Sequence, residues 1–332
     1  MSNKKLSPLY ILKILNRYSD ADHYLSQPQI KSYLETEYNC KLDRKTIGNT
    51  LYLLSNEMNY GIDVGNNGKG FAFIERTFDD SEILFLIDMI VSAQYITTKQ
   101  TDELINKLLS FTSKYFRVNH KNTLDFYTDL SCGKTNNQEF FYTIEQVLSA
   151  IDTNAMITFD YYDYDADLNL VPTGRSFQVN PHFIANQHGN QHLFATYSRG
   201  KRLYSFNLEK IRNLKILPDK QQVSLDDIPE IKGIKLHDYI KSHPYSFVGN
   251  TIDMEIWYDD PSKAIRISNS FGSSNTFIEK KDNHWICHTK SDINSATIWA
   301  IQYSDDHMKV IGCPELIDRI KEHINKLEKT YK

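Results

Sequence analysis

The stretch RLYSFNLEKIRNLKIL, residues 202–217, decides how the middle of the chain is read. Tyr204, Phe206 and Leu208 recur at every second position, the period of a strand with one buried face. Ser205, Asn207, Glu209, Lys210 and Arg212 supply a polar side between and after them. The spacing predicts Tyr204, Phe206 and Leu208 as core, with the polar residues left at the lip of whatever the strand helps to enclose.

Working upstream, NQEFFYTIEQVLSAID reads as one helix over 137–152. Strand-like runs come next at 155–162, 175–181, 191–197, 203–208 and 212–217. DYDAD, PTG, QHGN and SRGK are the turn signals that separate them. One helix and five short strands suit a small, strongly bent SH3- or Sm-like β-barrel. Such barrels commonly bind ligands or oligonucleotides across an exposed face.

The quoted residues carry a resemblance. ITFDYY, FQVNPHFI, GNQHLFATY and YSFNLEKIRNLKIL follow the order and spacing of the WYL domain over roughly 140–217. Val179 and Pro181 match a V-x-P element, Leu193 matches the Leu of the signature, and Phe206, Leu208 and Ile211 match the last strand. Gln191 and His192 stand where Trp and Tyr are usual, Asn207 where an Arg is usual, and Glu209 and Lys210 replace Asp and Arg. The resemblance implies a bacterial, ligand-sensing, homodimeric transcription regulator. Some such proteins answer to single-stranded DNA or nucleotides, and some govern phage-defence or DNA-damage genes. It also implies an effector site at Tyr161 or Tyr162, His192, Asn207 and Lys210. Arg202 and Arg212 are added as nearby cations, because an anionic effector needs positive partners.

Residues 1–76 read as a winged helix-turn-helix. Ile11, Ile14, Leu15 and Tyr18 share one face of a first helix. LSQPQI starts a second: Ser26 caps, Gln29 completes a capping box, and Leu25 with Ile30 forms a hydrophobic staple. Asp43 caps a third helix whose inward stripe is Ile47, Leu51, Leu54 and Met58. At 100° per residue, Lys45, Gly48, Asn49 and Tyr52 gather on the opposite face, with Arg44 and Thr46 in the first turn. Asn pairs with adenine, and Lys or Arg with guanine or phosphate, so this face suits the major groove of double-stranded DNA. Gly48 is expected to let the helix approach closely. A hairpin comes next, with Ile62 and Val64 before a Gly/Asn turn and Phe71 to Phe73 after it. Lys69 at its tip is placed to touch phosphate. These residues carry ten Lys/Arg against eight Asp/Glu, a weak basic bias in a chain of net charge −4, so any nucleic-acid surface is local. The loop GNNGKG lacks the spacing of a phosphate-binding P-loop.

Residues 77–136 are expected to be a helical linker and dimerisation region. DDSEILFLIDMIVSAQYI is apolar nearly all round, while Leu104, Leu108, Phe111 and Tyr115 form a cleaner stripe. The polar stretch 118–136 is taken as linker. After the barrel at 137–217 and a second linker at 218–249, residues 250–332 read β-α-β-β-α-β plus a last helix, a ferredoxin-like order. Leu316, Ile320, Ile324, Leu327 and Tyr331 form the stripe of that helix, and KVIGCPELIDRI resembles the extension that accompanies WYL domains.

Several chemistries are disfavoured. The four Cys are scattered with no CxxC, which argues for reduced thiols rather than a disulfide frame or zinc site. His284 and His288 stand about 13 Å apart along a strand, with Cys287 on the other face, so one metal does not join them. DYYDYDAD has calcium-like acid spacing but reads as a hairpin tip, lacking the Gly and Glu of a calcium loop. No GxSxG, HExxH or kinase set appears, so no enzyme and no cofactor are expected. The N-terminal residues form neither a signal sequence nor a membrane span, and a cytoplasmic protein is expected. The fold class is α+β and multidomain. The function expected is a homodimeric repressor of a DNA operator, modulated by a nucleotide or nucleic-acid effector. The alternatives are a defence component that senses single-stranded DNA, RNA or nucleotides without promoter specificity, and an enzyme acting on a nucleotide.

Overall fold

The computed structural model describes residues 4–65, 70–130, 134–187, 189–197, 202–221, 223–229, 231–245, 251–272 and 276–332. The chain divides into two compact units, Met1–Asn136 and Asn137–Lys332. Each has its own hydrophobic clusters and is described by itself.

In the first unit, α1 (Ser7–Tyr18), α2 (Gln27–Tyr38) and α3 (Arg44–Tyr52) bury Ile11, Ile14, Leu15, Ile30, Leu34, Ile47 and Leu51 against one another. The capping box at the start of α2 is present: Ser26 N–H donates to Gln29 Oε1 at 2.8 Å, and Gln29 N–H donates back to Ser26 Oγ. After Tyr52 the helix widens into a π turn over Leu53–Glu57. The extra residue in that turn shifts the helical phase of the residues beyond it. Leu54 stays buried, but Met58, expected inside, is 59% exposed. Strands β1 (Ile62–Val64) and β2 (Phe71–Phe73) pair antiparallel, and Leu25 bridges to Phe71, so a third short stretch extends the hairpin. Gly70 allows this, since a Cβ there would meet the Tyr24 side chain at 2.8 Å and the Leu25 carbonyl oxygen at 3.1 Å.

Arg76 ties the hairpin's end to α1. Its guanidinium donates to the Asn16 side chain and carbonyl at 2.7 and 2.9 Å, to the Ser19 carbonyl at 2.7 Å and to the Phe111 carbonyl at 3.1 Å. Beyond it lie α4 (Asp80–Ser92), α5 (Thr98–Leu109), α6 (Lys114–Asn119) and α7 (Lys121–Leu130). The linker expected at 118–136 is therefore largely helical. Leu124 and Tyr127 of α7 pack on the cluster of Ile83, Ile87, Val91, Leu109 and Phe116. Helix α4 buries one stripe only, leaving Phe85 and Met89 exposed. Phe111 and Tyr115 do not continue the α5 stripe: the helix ends at Leu109, Phe111 is exposed in the turn, and Tyr115 belongs to α6.

The second unit opens with α8 (Phe140–Asp152) and the strands β3 (Ala155–Tyr164), β4 (Leu170–Gln187), β5 (Asn190–Tyr197), β6 (Tyr204–Asn207) and β7 (Ile211–Gln221). They form one antiparallel sheet in the order β6-β5-β4-β3-β7. The PTG segment is not a turn. It lies inside β4, where a register shift opposite Tyr161 and Tyr162 accommodates Gly174 at φ 71°. A second shift, between Pro181 and Phe183, bends the same strand. DYDAD is the tip of the β3–β4 hairpin, closed by Asp165 Oδ1 accepting from the Asp167 and Asn169 N–H groups.

The stretch read as a second linker is packed down. Ile228, Ile231 and Tyr239, the last on α9 (Leu236–Ser242), join Phe194 and Leu203 in one cluster. The chain then runs β8 (Thr251–Tyr258), α10 (Ala264–Phe271), β9 (Thr276–Lys280), β10 (Trp285–Asp292), α11 (Ile293–Tyr303), β11 (Met308–Val310) and α12 (Pro314–Thr330). Its sheet has the order β11-β8-β10-β9, with Ile267, Phe271, Ala296, Trp299 and Leu316 buried against it. The apolar stripe of α12 is covered only at its start: Leu316 is buried, while Ile324, Leu327 and Tyr331 are exposed. Among the described residues no helix is long and apolar enough to cross a membrane.

Candidate functional site

The first candidate surface is the outer face of α3. Asp43 accepts the Thr46 N–H at 2.9 Å and the Thr46 hydroxyl at 2.7 Å, which fixes where the helix starts. Those two bonds, the N–H before the hydroxyl, hold the Asp43 carboxyl below its ordinary range. Thr46 thus takes part in the cap through both its N–H and its hydroxyl. Arg44, Lys45, Asn49 and Tyr52 lie on the outward side of the helix, away from the stripe of Ile47 and Leu51. Arg44 is steadied by its Nε, which donates to Gln27 Oε1 at 3.0 Å. Gly48 faces the Gln27 side chain, whose Nε2 would lie 3.3 Å from a Cβ placed there. Lys69 lies outside the described residues.

The second candidate surface lies where the end of β3 meets the start of β7. Between β6 and β7 the chain makes a 3-10 turn at Leu208–Lys210, capped by Asn207, whose Oδ1 accepts the Glu209 N–H at 2.9 Å. The turn brings Lys210 and Arg212 back over the tyrosines of β3. Lys210 Nζ is 2.7 Å from Asp163 Oδ1 and 5.4 Å from the Tyr164 ring centre. The Lys210 bond, then the Tyr164 N–H, keeps the Asp163 carboxyl below its usual range. Arg212 sits 5.5 Å from the Tyr162 ring centre and donates to the Glu209 and Ile211 carbonyls. Burial lowers the pKa of this guanidinium, opposed by the charges of Glu139 and Glu209. It remains a cation, its ordinary pKa being far above neutrality.

Tyr161 points the other way along the strand. It packs among Phe159, Phe177 and Phe206, and its hydroxyl oxygen accepts the Asn207 N–H at 3.3 Å. Burial raises its pKa, and the Asn207 bond partly offsets this. Of the two tyrosines left open by the sequence, Tyr162 is the one beside the cations. His192 pairs with Asn207 across β5 and β6 and shares a 2.9 Å hydrogen bond with Ser205 Oγ. Tyr162, Asn207, Lys210 and Arg212 thus come together, His192 is adjacent through Asn207, and Arg202 is an exposed residue at the start of the β6 approach. Tyr204, expected in the core, is 36% exposed and lies edge-on to Tyr197 at 4.5 Å.

Three residues of this ledge were not among the effector-site residues expected from the sequence. Glu209 is buried and accepts the Tyr164 hydroxyl at 3.0 Å, Tyr164 underlies Lys210, and Asp163 neutralises it. Chemically the ledge offers two aromatic faces and two cations, a combination suited to stacking a base and pairing a phosphate. Both cations already have partners within the chain, so a ligand has to compete for them.

The strands that build the ledge also decide the family of this segment. Residues 142–216 match the WYL domain. The WYL match covers most of α8 and the sheet as far as the middle of β7, and so contains every residue of the ledge. Two solved structures are similar over the whole chain at low identity. Proteasome accessory factor B/C (PafBC) of Arthrobacter aurescens is 10% identical, covering 98% of this chain and 48% of that chain, with a TM-score of 0.27. This chain thus spans about half the length of that one. A CRISPR Cas-related protein is 13% identical, covering 100% of this chain and 92% of that chain, with a TM-score of 0.39. At these values neither likeness carries an argument. No curated protein matches the chain.

No cluster of three or more metal-binding side chains is present among the described residues. Cys287 is buried, and burial pushes its thiol up to about 12, so it stays protonated and unreactive.

Proposed function

We propose that the chain is a cytoplasmic DNA-binding transcription regulator, a homodimeric repressor whose operator binding is modulated at the WYL sheet. The observation that carries the reading is the outward set Arg44, Lys45, Asn49 and Tyr52. It sits on a helix with a fixed start, succeeded by the β1–β2 hairpin, in a chain that also holds a WYL domain. Lys45 and Asn49 read base edges, Arg44 and Tyr52 position the helix, and Lys69 touches the backbone. The effector is a nucleotide or a short single strand, bound by Tyr162, Lys210 and Arg212. It acts by binding one dimer state better than the other, since equal affinity for both shifts nothing. No catalytic step is assigned to any residue.

A second reading, a sensor of single strands without promoter specificity, is favoured by the aromatic and cationic ledge on β3 and β7. Fluorescence anisotropy with duplex and single-stranded oligonucleotides separates the two. Sequence-selective duplex binding that disappears in Lys45→Ala/Asn49→Ala and persists in Asn207→Ala supports the regulator. Binding confined to single strands supports the second reading.

A further inference from the structure

The first unit holds a cationic cleft away from the outward face of α3. It has a volume of about 520 Å³ and is walled by α1, the end of α2 and the turn from α5 into α6. Lys13 and Arg17, one helical turn apart, face it from α1, while Lys114 and Arg117 face it from α6. Among the described residues no carboxylate lines it, and none of the four cations makes an ion pair. In a chain of net charge −4, four like charges around one cavity are a local concentration that an anion relieves.

Aromatic rings beside the cleft hold two of the charges in place. Lys114 Nζ lies 4.9 Å from the centres of both the Tyr18 and Tyr115 rings, and Arg17 lies 5.2 Å from Tyr18. Tyr18 stacks in turn on Tyr33, and Tyr115 on His23. Two nearby carboxylates are hydrogen-bonded elsewhere and do not line the cleft. Glu37 accepts the Tyr18 hydroxyl, and Asp20 accepts the Ser113 hydroxyl at 2.7 Å and pairs with His23. Arg117 donates to Asn106 at 2.9 Å, a neutral partner that leaves its charge uncompensated.

We propose that this cleft binds adjacent phosphate groups carrying two or more negative charges. Four cations and a volume of this size exceed what a single carboxylate would use. The phosphates come either from a free phosphorylated small molecule or from the backbone of bound nucleic acid. The proposal does not depend on base reading by α3.

Two measurements on the full-length protein test it. One is calorimetric titration with inorganic pyrophosphate at low ionic strength. The other is the dependence of random-sequence duplex binding on KCl concentration. The variants are Lys13→Gln/Arg17→Gln and, independently, Lys114→Gln/Arg117→Gln, with Lys290→Gln in the second unit as control. Saturable pyrophosphate binding that weakens tenfold or more in both pairs and not in the control assigns a free phosphorylated ligand. If pyrophosphate does not bind but each pair lowers the log–log salt slope by about two, the source is the backbone. The proposal is overturned if both pairs leave the salt slope unchanged and pyrophosphate either does not bind or binds the variants as it does the parent. Loss of sequence discrimination in Lys45→Ala/Asn49→Ala, with these two readouts intact, separates this cleft from the reading helix.

Discussion

Lys210 Nζ lies 2.7 Å from Asp163 Oδ1, so the cation best placed to meet an anionic effector is already neutralised by its own strand pair. Removing that competitor strengthens effector binding. Asp163→Asn is expected to tighten binding of a short single-stranded oligonucleotide roughly two- to fivefold, the scale of one exposed ion pair. The gain shrinks as salt rises. Anisotropy titrations at two ionic strengths check it, and weaker binding in the variant would contradict it.

Lys210→Ala and Arg212→Ala are expected to differ. Lys210 is a partly buried group whose ion pair with the exposed Asp163 contributes little to stability, so its loss chiefly removes one charge from the ledge. Arg212 also bonds the carbonyls of Glu209 and Ile211, so its loss releases the 3-10 turn. Oligonucleotide affinity should fall in both, while thermal stability of the second unit falls measurably only in Arg212→Ala, by about 1–3 kcal/mol. Equal stabilities for the two variants would show that the turn does not need Arg212.

Arg76 satisfies three carbonyls and one side-chain oxygen, joining the end of the hairpin to α1 and the α5–α6 turn. Arg76→Ala leaves those acceptors unpaired and is expected to cost about 2–4 kcal/mol. Chemical denaturation monitored by fluorescence should show an earlier transition of the first unit with that of the second unchanged.

His182 provides a pH signature. Burial lowers its pKa to about 4, against an ordinary value of 6.5. The unfolded chain therefore binds more protons than the native one between these values. Stability from this group is complete above about pH 6.5 and declines as pH falls toward 4, by up to about 3 kcal/mol. Denaturation midpoints of the parent and His182→Gln should diverge on raising pH through this window and run parallel above pH 7. Parallel profiles throughout would mean that His182 titrates normally.

Local chemistry made much of the architecture legible. The Ser26/Gln29 capping box, the Asp43 cap, the β1–β2 hairpin and the order of elements after Thr251 stem from residue type and spacing. Features that were not legible depend on contacts distant in sequence or on a local change of helix geometry. A π turn rotates Met58 outward. Helix α7 has a largely polar pattern and is held by Leu124 and Tyr127 against α4. Gly174 reads as a turn residue but is absorbed by a register shift within β4. At the ledge, spacing brought Lys210 and Arg212 into view. Asp163 is 47 residues from Lys210 and Tyr164 is 45 from Glu209, pairings that no local period encodes.

Selection of duplex DNA from a genomic fragment library with the purified full-length protein tests whether α3 reads sequence. A recurring site with two related half-sites is expected, as two α3 helices in a homodimer require. Lys45→Ala/Asn49→Ala should abolish the enrichment while leaving the protein folded. Enrichment of no site, or of the same site by that variant, would contradict the assignment of Lys45 and Asn49 as base readers.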